Sequence, residues 1–320
     1  MPGLPKGTPV ALSGRVLRVT QDNPGMFTGP GTNTYVIGGA GGPVFVLDPG
    51  EEDDAHFDAI LRALGGREVA AVLISHTHRD HWPLAPRVAE HTGAEIRAFR
   101  ENPPFTAGPR LKDGDRLSSS GATLVALHTP GHASDHLCFL LEEDRAVFTA
   151  DLVMGWSTSI IAPPDGNLNQ YMTSLERLIE LGNDGIDILH PGHGESIKPP
   201  LDRIHEIHRH RQQRTDQALD AIAAGVATIP EMVERIYTDV DPKLHGAAAF
   251  SLRAHLDALV EEGKVKETEP GRYSQAAEGQ DVGDLVKKAG ANSGLDSDRA
   301  MDLAVQETRR QRGTTDPGKG

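Results

Sequence analysis

The stretch ISHTHRDH, residues 74–81, sets three histidines and an aspartate within eight positions, directly behind the apolar run VAAVLI. That run has the length and β-branched character of a buried strand, so the polar cluster begins where the strand ends. The same placement recurs three times. GATLVALHTPGH (121–132) reads as a strand and turn closing on His132, and GIDILHPGHGE (185–195) as a strand closing on His193. HLCFLL-EEDR-AVFTAD (136–151) reads as a hairpin whose second strand stops at Asp151. Loops at strand ends carry chemistry on a rigid scaffold, and four clusters at four strand ends describe one such surface.

Between these strands the pattern is mixed. NTYVIGG (33–39) and GPVFVLDPG (42–50) read as strands bounded by glycine, and DDAHFDAILRALGG (53–66) and YMTSLERLIELG (171–182) as amphipathic helices. The expected class is therefore α/β over residues 1–200, the catalytic domain. Residues 201–224 read as one long polar connecting helix. Residues 225–275 read as a second unit, three helices and then a two-stranded wing, the outline of a winged helix. The tail, 276–320, is rich in Ala, Gly and charge, with a weak helix expected near 297–311.

Metal sites need nitrogen, oxygen or sulfur ligands that converge on a point, and histidine with carboxylate suits zinc and its neighbours. His76, His78, Asp80 and His81 give four such ligands in six residues. Alternate residues of an extended stretch can reach one ion, and the next two, as the chain turns, a second. His132, Asp151 and His193 supply further ligands, the two PGH turns presenting their histidines. A single histidine is more often a satisfied structural residue; seven His and Asp residues at strand ends are not explained that way.

Composition narrows the setting. The chain has 320 residues, net charge −14 and one cysteine, Cys138, which sits mid-strand and reads as core. Without a second cysteine there is no internal disulfide, and a cytoplasmic location is expected. The N-terminus lacks the pattern of a signal peptide, and no apolar run approaches the roughly 20 residues of a membrane helix, so no membrane partner is expected.

The order H-x-H-x-D-H, PGH, strand-ending Asp, PGHG resembles the metallo-β-lactamase superfamily. The resemblance implies a four-layer αβ/βα sandwich with a binuclear site at one edge. It implies that His76, His78 and His132 hold one metal, that Asp80, His81 and His193 hold the other, and that Asp151 bridges them. The ions implied are two divalent metals, zinc first, with iron or manganese also accepted by such ligands. His128, His136 and His190 match no ligand position and read as structural or supporting groups. Asp151 stands where true zinc β-lactamases carry groups such as cysteine, and His78 where flavo-diiron relatives carry glutamate, which together favour hydrolysis by a metal-bridging hydroxide. Asp80 then orients the attacking water.

The motifs NPGMFTGPGTNTYVIG (23–38), YMTSLERL (171–178), LHPGHGESI (189–197) and HRHRQQRTDQAL (208–219), with the 227–266 unit, are similar to the β-lactamase-like protein 2 family. That family joins the sandwich to a C-terminal winged helix and includes a single-strand endoribonuclease. Two departures stand out: Ala150 replaces a usual glycine, and the tail has no counterpart.

Three functions follow in order: an endoribonuclease on single-stranded RNA, a glyoxalase II-like hydrolase of a small thioester, ester or lactone, and a non-catalytic metal-binding regulator. Acidic balance and 4% aromatic residues lean toward the small acyl substrate, since single-strand binders stack bases in a basic groove. Residues 215–274 carry eleven Asp and Glu against six Lys and Arg, so this unit is expected to border the cleft or to join a homodimer rather than grip phosphates. Trp82 and Trp156 are candidates to wall the site, with packing beneath the loop the alternative for Trp82. Asn33 is a candidate at the rim, with strand-start packing its alternative. Arg203, Arg209, Arg211 and Arg214 meet phosphates or form a solvated helix face.

Overall fold

A computed structural model describes residues 4–100, 108–238, 240–242 and 245–276. The expected tail lies outside the described residues from 277 on. Six strands form one sheet in sequential order: β1 (Val10–Ala11), β2 (Val16–Thr20), β3 (Asn33–Ile37), β4 (Val44–Leu47), β5 (Val69–Leu73) and β6 (Ile96–Arg97). The second sheet contains β7 (Arg116–Ser119), β8 (Ala122–His128), β9 (Leu137–Leu141), β10 (Ala146–Ala150) and β11 (Ile188–Pro191), with β11 at one edge and β7 at the other.

The pleat sorts each strand's side chains into two layers. Tyr35, Ile37, Phe45, Leu47 and Leu73 face the second sheet and pack on Leu124, Ala126, Leu137, Phe139 and Phe148. The alternate residues Val36, Val46 and Val72 face outward onto α1 (Asp54–Leu64) and α2 (Ala85–Thr92), through Phe57, Ile60, Leu64 and Val88. On the far side Cys138 and Val147 pack on α3 (Leu168–Asn183) and α4 (Pro200–Ala223). The result is the four-layer αβ/βα sandwich. Asp53 caps α1 by accepting the His56 N–H at 2.6 Å, and Gly65 ends it at φ 58°, a conformation glycine adopts without Cβ strain.

Among the described residues of the C-terminal unit, α5 (Ile229–Ile236) and α6 (His245–Glu261) precede the wing β12 (Val265–Glu269) and β13 (Arg272–Gln275). The end of α4 joins them: its Ala218, Ala221 and Ile222 share an apolar cluster with Met232, Leu252, Leu256 and Tyr273. The connecting helix is thus half wall of the sandwich and half core of the winged helix. No helix among the described residues is long and apolar enough to cross a membrane.

Candidate metal centre

The two sheets bring their strand ends together at one edge. His76, His78, Asp80 and His81 follow β5 of the first sheet, while His132, Asp151 and His193 follow β8, β10 and β11 of the second. The side chains separate into two groups, His76–His78–His132 and Asp80–His81–Asp151–His193, the ligand atoms of each lying within 4.8 Å of one another.

The distances are those of ligands around an ion. Two atoms each about 2.1 Å from a tetrahedral ion stand about 3.4 Å apart. His81 Nε2 lies 3.5 Å and His193 Nε2 3.3 Å from Asp151 Oδ1, and His193 Nε2 lies 3.2 Å from Asp80 Oδ2. His81 Nε2, His193 Nε2 and Asp151 Oδ1 are all buried without a hydrogen-bond partner, a costly arrangement for three polar atoms aimed at one place unless a cation satisfies them. In the first group His78 Nδ1 is approached by His76 Nε2 at 3.1 Å and His132 Nε2 at 2.9 Å. One ring nitrogen cannot satisfy both. Asp151 spans the groups, with Oδ2 3.6 Å from His132 Nε2 and Oδ1 turned to the second group. The residues fit two divalent ions.

The opposite ring atoms explain the orientation. His132 Nδ1–H donates to the Ile160 carbonyl at 2.6 Å, His81 Nδ1–H to Asp48 Oδ2 at 3.0 Å and His76 Nδ1–H to Ser75 Oγ at 3.0 Å. Each leaves Nε2 with a lone pair toward the centre. The Asp151 N–H donates to His136 Nε2 at 3.2 Å, so His136 holds the bridging residue's backbone. Asp48, Ser75 and His136 support the ligands. Asp48 escaped sequence reasoning because LDPG reads as a strand ending in a turn.

The ligands' charges balance one another. Burial works against ionising either carboxylate, yet His193 and His81 hold Asp151 well below the usual range, and His81 and His193 bring Asp80 down to about 2. Burial likewise disfavours imidazolium, but Asp151 and Asp80 push His193 up to about 9, and Asp80, Asp151 and Asp48 raise His81. Burial and neighbouring imidazoles keep His76 well below its ordinary value, and burial outweighs Asp151 in lowering His132. Metal binding at the second group competes with these protons.

Glycine is required in both PGH turns for reasons beyond turning. A Cβ on Gly131 (φ 132°) would fall 2.3 Å from the Tyr171 backbone, and one on Gly192 would fall 2.6 Å from Asp151 Oδ1. The β11 turn is held from the first sheet, where Asn33 Nδ2 donates to the carbonyls of Pro191 and Gly194 at 3.0 and 2.8 Å. Asn33 is fully buried and positions this turn instead of lining a rim. Trp82 is also corrected: it is buried in the helix-side core, with Nε1–H donating to the Thr77 carbonyl at 3.2 Å. The chain turns back after His81 and sends this side chain beneath the loop. Trp156 does wall the site, its ring seated against Gly29 and Gly194. His190 bonds Ser196, and His128 stacks on Phe99, both structural roles.

Above the two groups lies a cavity of about 330 Å³. His78, Asp80, His132 and Asp151 reach it from the metal centre, and Met26, Phe27, Met154, Trp156 and Ile160 line it from outside.

A sandwich of this topology with a His/Asp pair of metal groups at its edge defines a metal-dependent hydrolase. The chain belongs to the metallo-β-lactamase superfamily: residues 27–193 match that family's model, and residues 228–272 match the β-lactamase associated winged helix domain. It is 31% identical over 304 residues to a lactamase-like protein of Aspergillus niger, covering 90% of this chain and 93% of the relative. It is 34% identical over 245 residues to an atrochrysone carboxyl ACP thioesterase of Aspergillus fumigatus, covering 71% of this chain and 74% of the relative. Among solved structures it is similar in fold to a β-lactamase domain protein from Burkholderia ambifaria, with TM-score 0.70 and 22% identity over 86% of this chain and 96% of that one.

Proposed function

We propose that this hydrolase cleaves acyl thioesters through a binuclear metal centre. The observation that carries the reading is the character of the cavity: Met26, Phe27, Met154, Trp156 and Ile160 form most of its wall over the metal groups, with Arg79 and Asp165 the charged residues beside the ligands, a predominantly apolar space that suits an acyl substrate. The similarity to a fungal thioesterase supports it. Single-stranded RNA, the first of the readings drawn from the sequence, needs a basic groove. Three of the four arginines considered for that role are spent on the protein. Arg203 donates to the Met154 and Ser157 carbonyls, Arg211 to the Ser159 carbonyl, and Arg214 to the Ile236 carbonyl.

Divalent ions bound here supply Lewis acidity and lower the pKa of water. The chain supplies the rest. Asp80, ionised and facing the cavity, is placed to accept the proton of the attacking water. His136, through the Asp151 backbone, and Asp48, through His81, keep the two groups in register. Phe27 and Trp156 give the carbonyl an apolar wall on the cavity side. The leaving thiolate is a weak base, with a parent thiol pKa of about 8.5, and departs without a general acid.

The test is a comparison of the zinc-loaded chain with an Asp80→Ala/His81→Ala variant on acetyl and longer acyl thioesters, a lactone and single-stranded RNA. Thiol release should fall at least ~100-fold in the variant, as expected when a ligand pair and water-orienting carboxylate are lost together. RNA cleavage by the wild type without thiol release would overturn the reading.

A further inference from the structure

Beside the first cavity lies a second, of about 500 Å³. The two share Met26, Phe27, Thr158, Ile160 and Ala162, so they form one cleft with two chambers. The metal groups close one end. At the other, the lining includes Gly246, Phe250 and Ser251 of α6, in the winged-helix domain.

The second chamber is apolar and open to a ligand. The large apolar side chains exposed among the described residues are Met26, Phe27, Ile160, Phe250 and Val260, and the first four border this chamber. Phe250 is 65% exposed and Phe27 likewise 65%. Apolar surface collected around a concavity marks a binding region, whereas scattered residues do not. The chamber is also firmly built. Arg211, buried on α4, donates to Ser251 Oγ at 3.4 Å and to the Ser159 carbonyl, and its guanidinium lies over the Tyr171 ring. The next residue, Ile160, gives its carbonyl to His132 of the metal centre and its side chain to both chambers. The wall between the chambers is therefore tied to the winged helix on one side and to a ligand on the other.

We propose that the second chamber receives the acyl chain of the thioester, with Phe250 as its outer wall, so that the winged-helix domain selects acyl length. The proposal rests on the thioesterase reading. Its occupant follows from continuity: a chain in the second chamber runs past Ile160 to a carbonyl at the metal groups. The chamber's concavity suits a chain better than the face of a second protein copy, which needs a broad contact of about 800 Å² per partner.

The experiment measures kcat/KM for acetyl, hexanoyl and decanoyl thioesters of N-acetylcysteamine, on the zinc-loaded full chain. Each methylene buried is expected to add to kcat/KM, giving at least a ~10-fold rise from acetyl to decanoyl. Phe250→Ala should cut decanoyl turnover ~5-fold or more and leave acetyl within about twofold, since one wall of the chamber is lost. Phe250→Asp should flatten the series. A flat wild-type series, or equal loss on acetyl and decanoyl in Phe250→Ala, would overturn the proposal. So would a dimer that Phe250→Asp separates in sedimentation velocity while the series persists, for then a second copy covers the chamber. Absence of all thioester turnover in the wild type is a different result: it overturns the thioesterase reading, and this proposal with it.

Discussion

Asp48→Asn changes one atom and should disable half of the metal centre. The Asp48 carboxylate accepts the Ser75 N–H at 2.8 Å on Oδ1, and the Ser75 hydroxyl at 2.6 Å and the His81 Nδ1–H at 3.0 Å on Oδ2. An amide cannot accept on both sides. With its nitrogen toward Ser75 N–H, two donors meet. With its nitrogen toward His81, the ring must accept at Nδ1 and carry its proton on Nε2, the atom that faces the second metal group. Either way a charge-assisted hydrogen bond worth about 1.5–3 kcal/mol is lost, which corresponds to roughly 10–100-fold in metal affinity. The backbone is indifferent to the change: Asp48 has φ 50°, and asparagine tolerates that region as readily as aspartate. Calorimetric zinc titration of chelator-stripped protein should show the phase of the Asp80–His81–Asp151–His193 group weakened by that factor, and the His76–His78–His132 phase, which Asp48 reaches only through Ser75, weakened less. Two unshifted phases, or equal weakening of both, would refute the reasoning.

Two further outcomes are expected. Gly192→Ala places a Cβ 2.6 Å from Asp151 Oδ1 and 3.0 Å from His81 Cε1, so the ligands must shift; kcat should fall ~100-fold, and unchanged turnover would show that the turn can yield instead. His255, buried and bonded to Thr215, is lowered by burial and by Arg211 to about 3, so the fold holds it neutral. The unfolded chain takes up that proton below about pH 6.5, so stability is full above that pH and falls as pH drops toward 3, by about 2 kcal/mol at pH 5. Urea midpoints at pH 7.5 and 5 should lose that share of their difference in His255→Gln, and an equal difference in both proteins would refute the assignment.

The sequence made the ligands legible because metal chemistry restricts residue type and because strand ends announce themselves in hydrophobic pattern. What surrounds the ligands was harder to read. Asp48 lies 33 positions before His81 and meets it only through the parallel pairing of β4 with β5, a tertiary register that local pattern does not encode. Both tryptophans follow ligands in sequence, yet Trp82 turns into the core and Trp156 out to the cavity, because side-chain direction depends on the path of each loop. The long helix did hold an unread signal. Ile204, Ile207, Arg211, Ala218 and Ile222 fall on one buried face, so Arg211 belonged to a core stripe and not to a solvated one. Ala150 keeps the left-handed conformation, at φ 40°, a region where glycine is at ease and alanine is not. The tight turn into Asp151 is therefore imposed by the surrounding β10 and β11 pairing and not by local preference.

The ligands' division between two sheets has a bearing on how the chain acquires its activity. The first sheet contributes its four ligands by residue 81, but neither metal group is complete until His132, Asp151 and His193 arrive from the second. Contacts so distant in sequence form late, because the intervening chain must first be closed into loops. A nascent chain that has folded its first sheet holds only a partial, weak site. High-affinity metal capture waits until the sheets have docked, and from then on it draws the equilibrium toward the finished sandwich. Metal uptake during refolding is thus a clock for sheet docking, readable with a fluorescent zinc competitor and separable from the earlier gain of secondary structure.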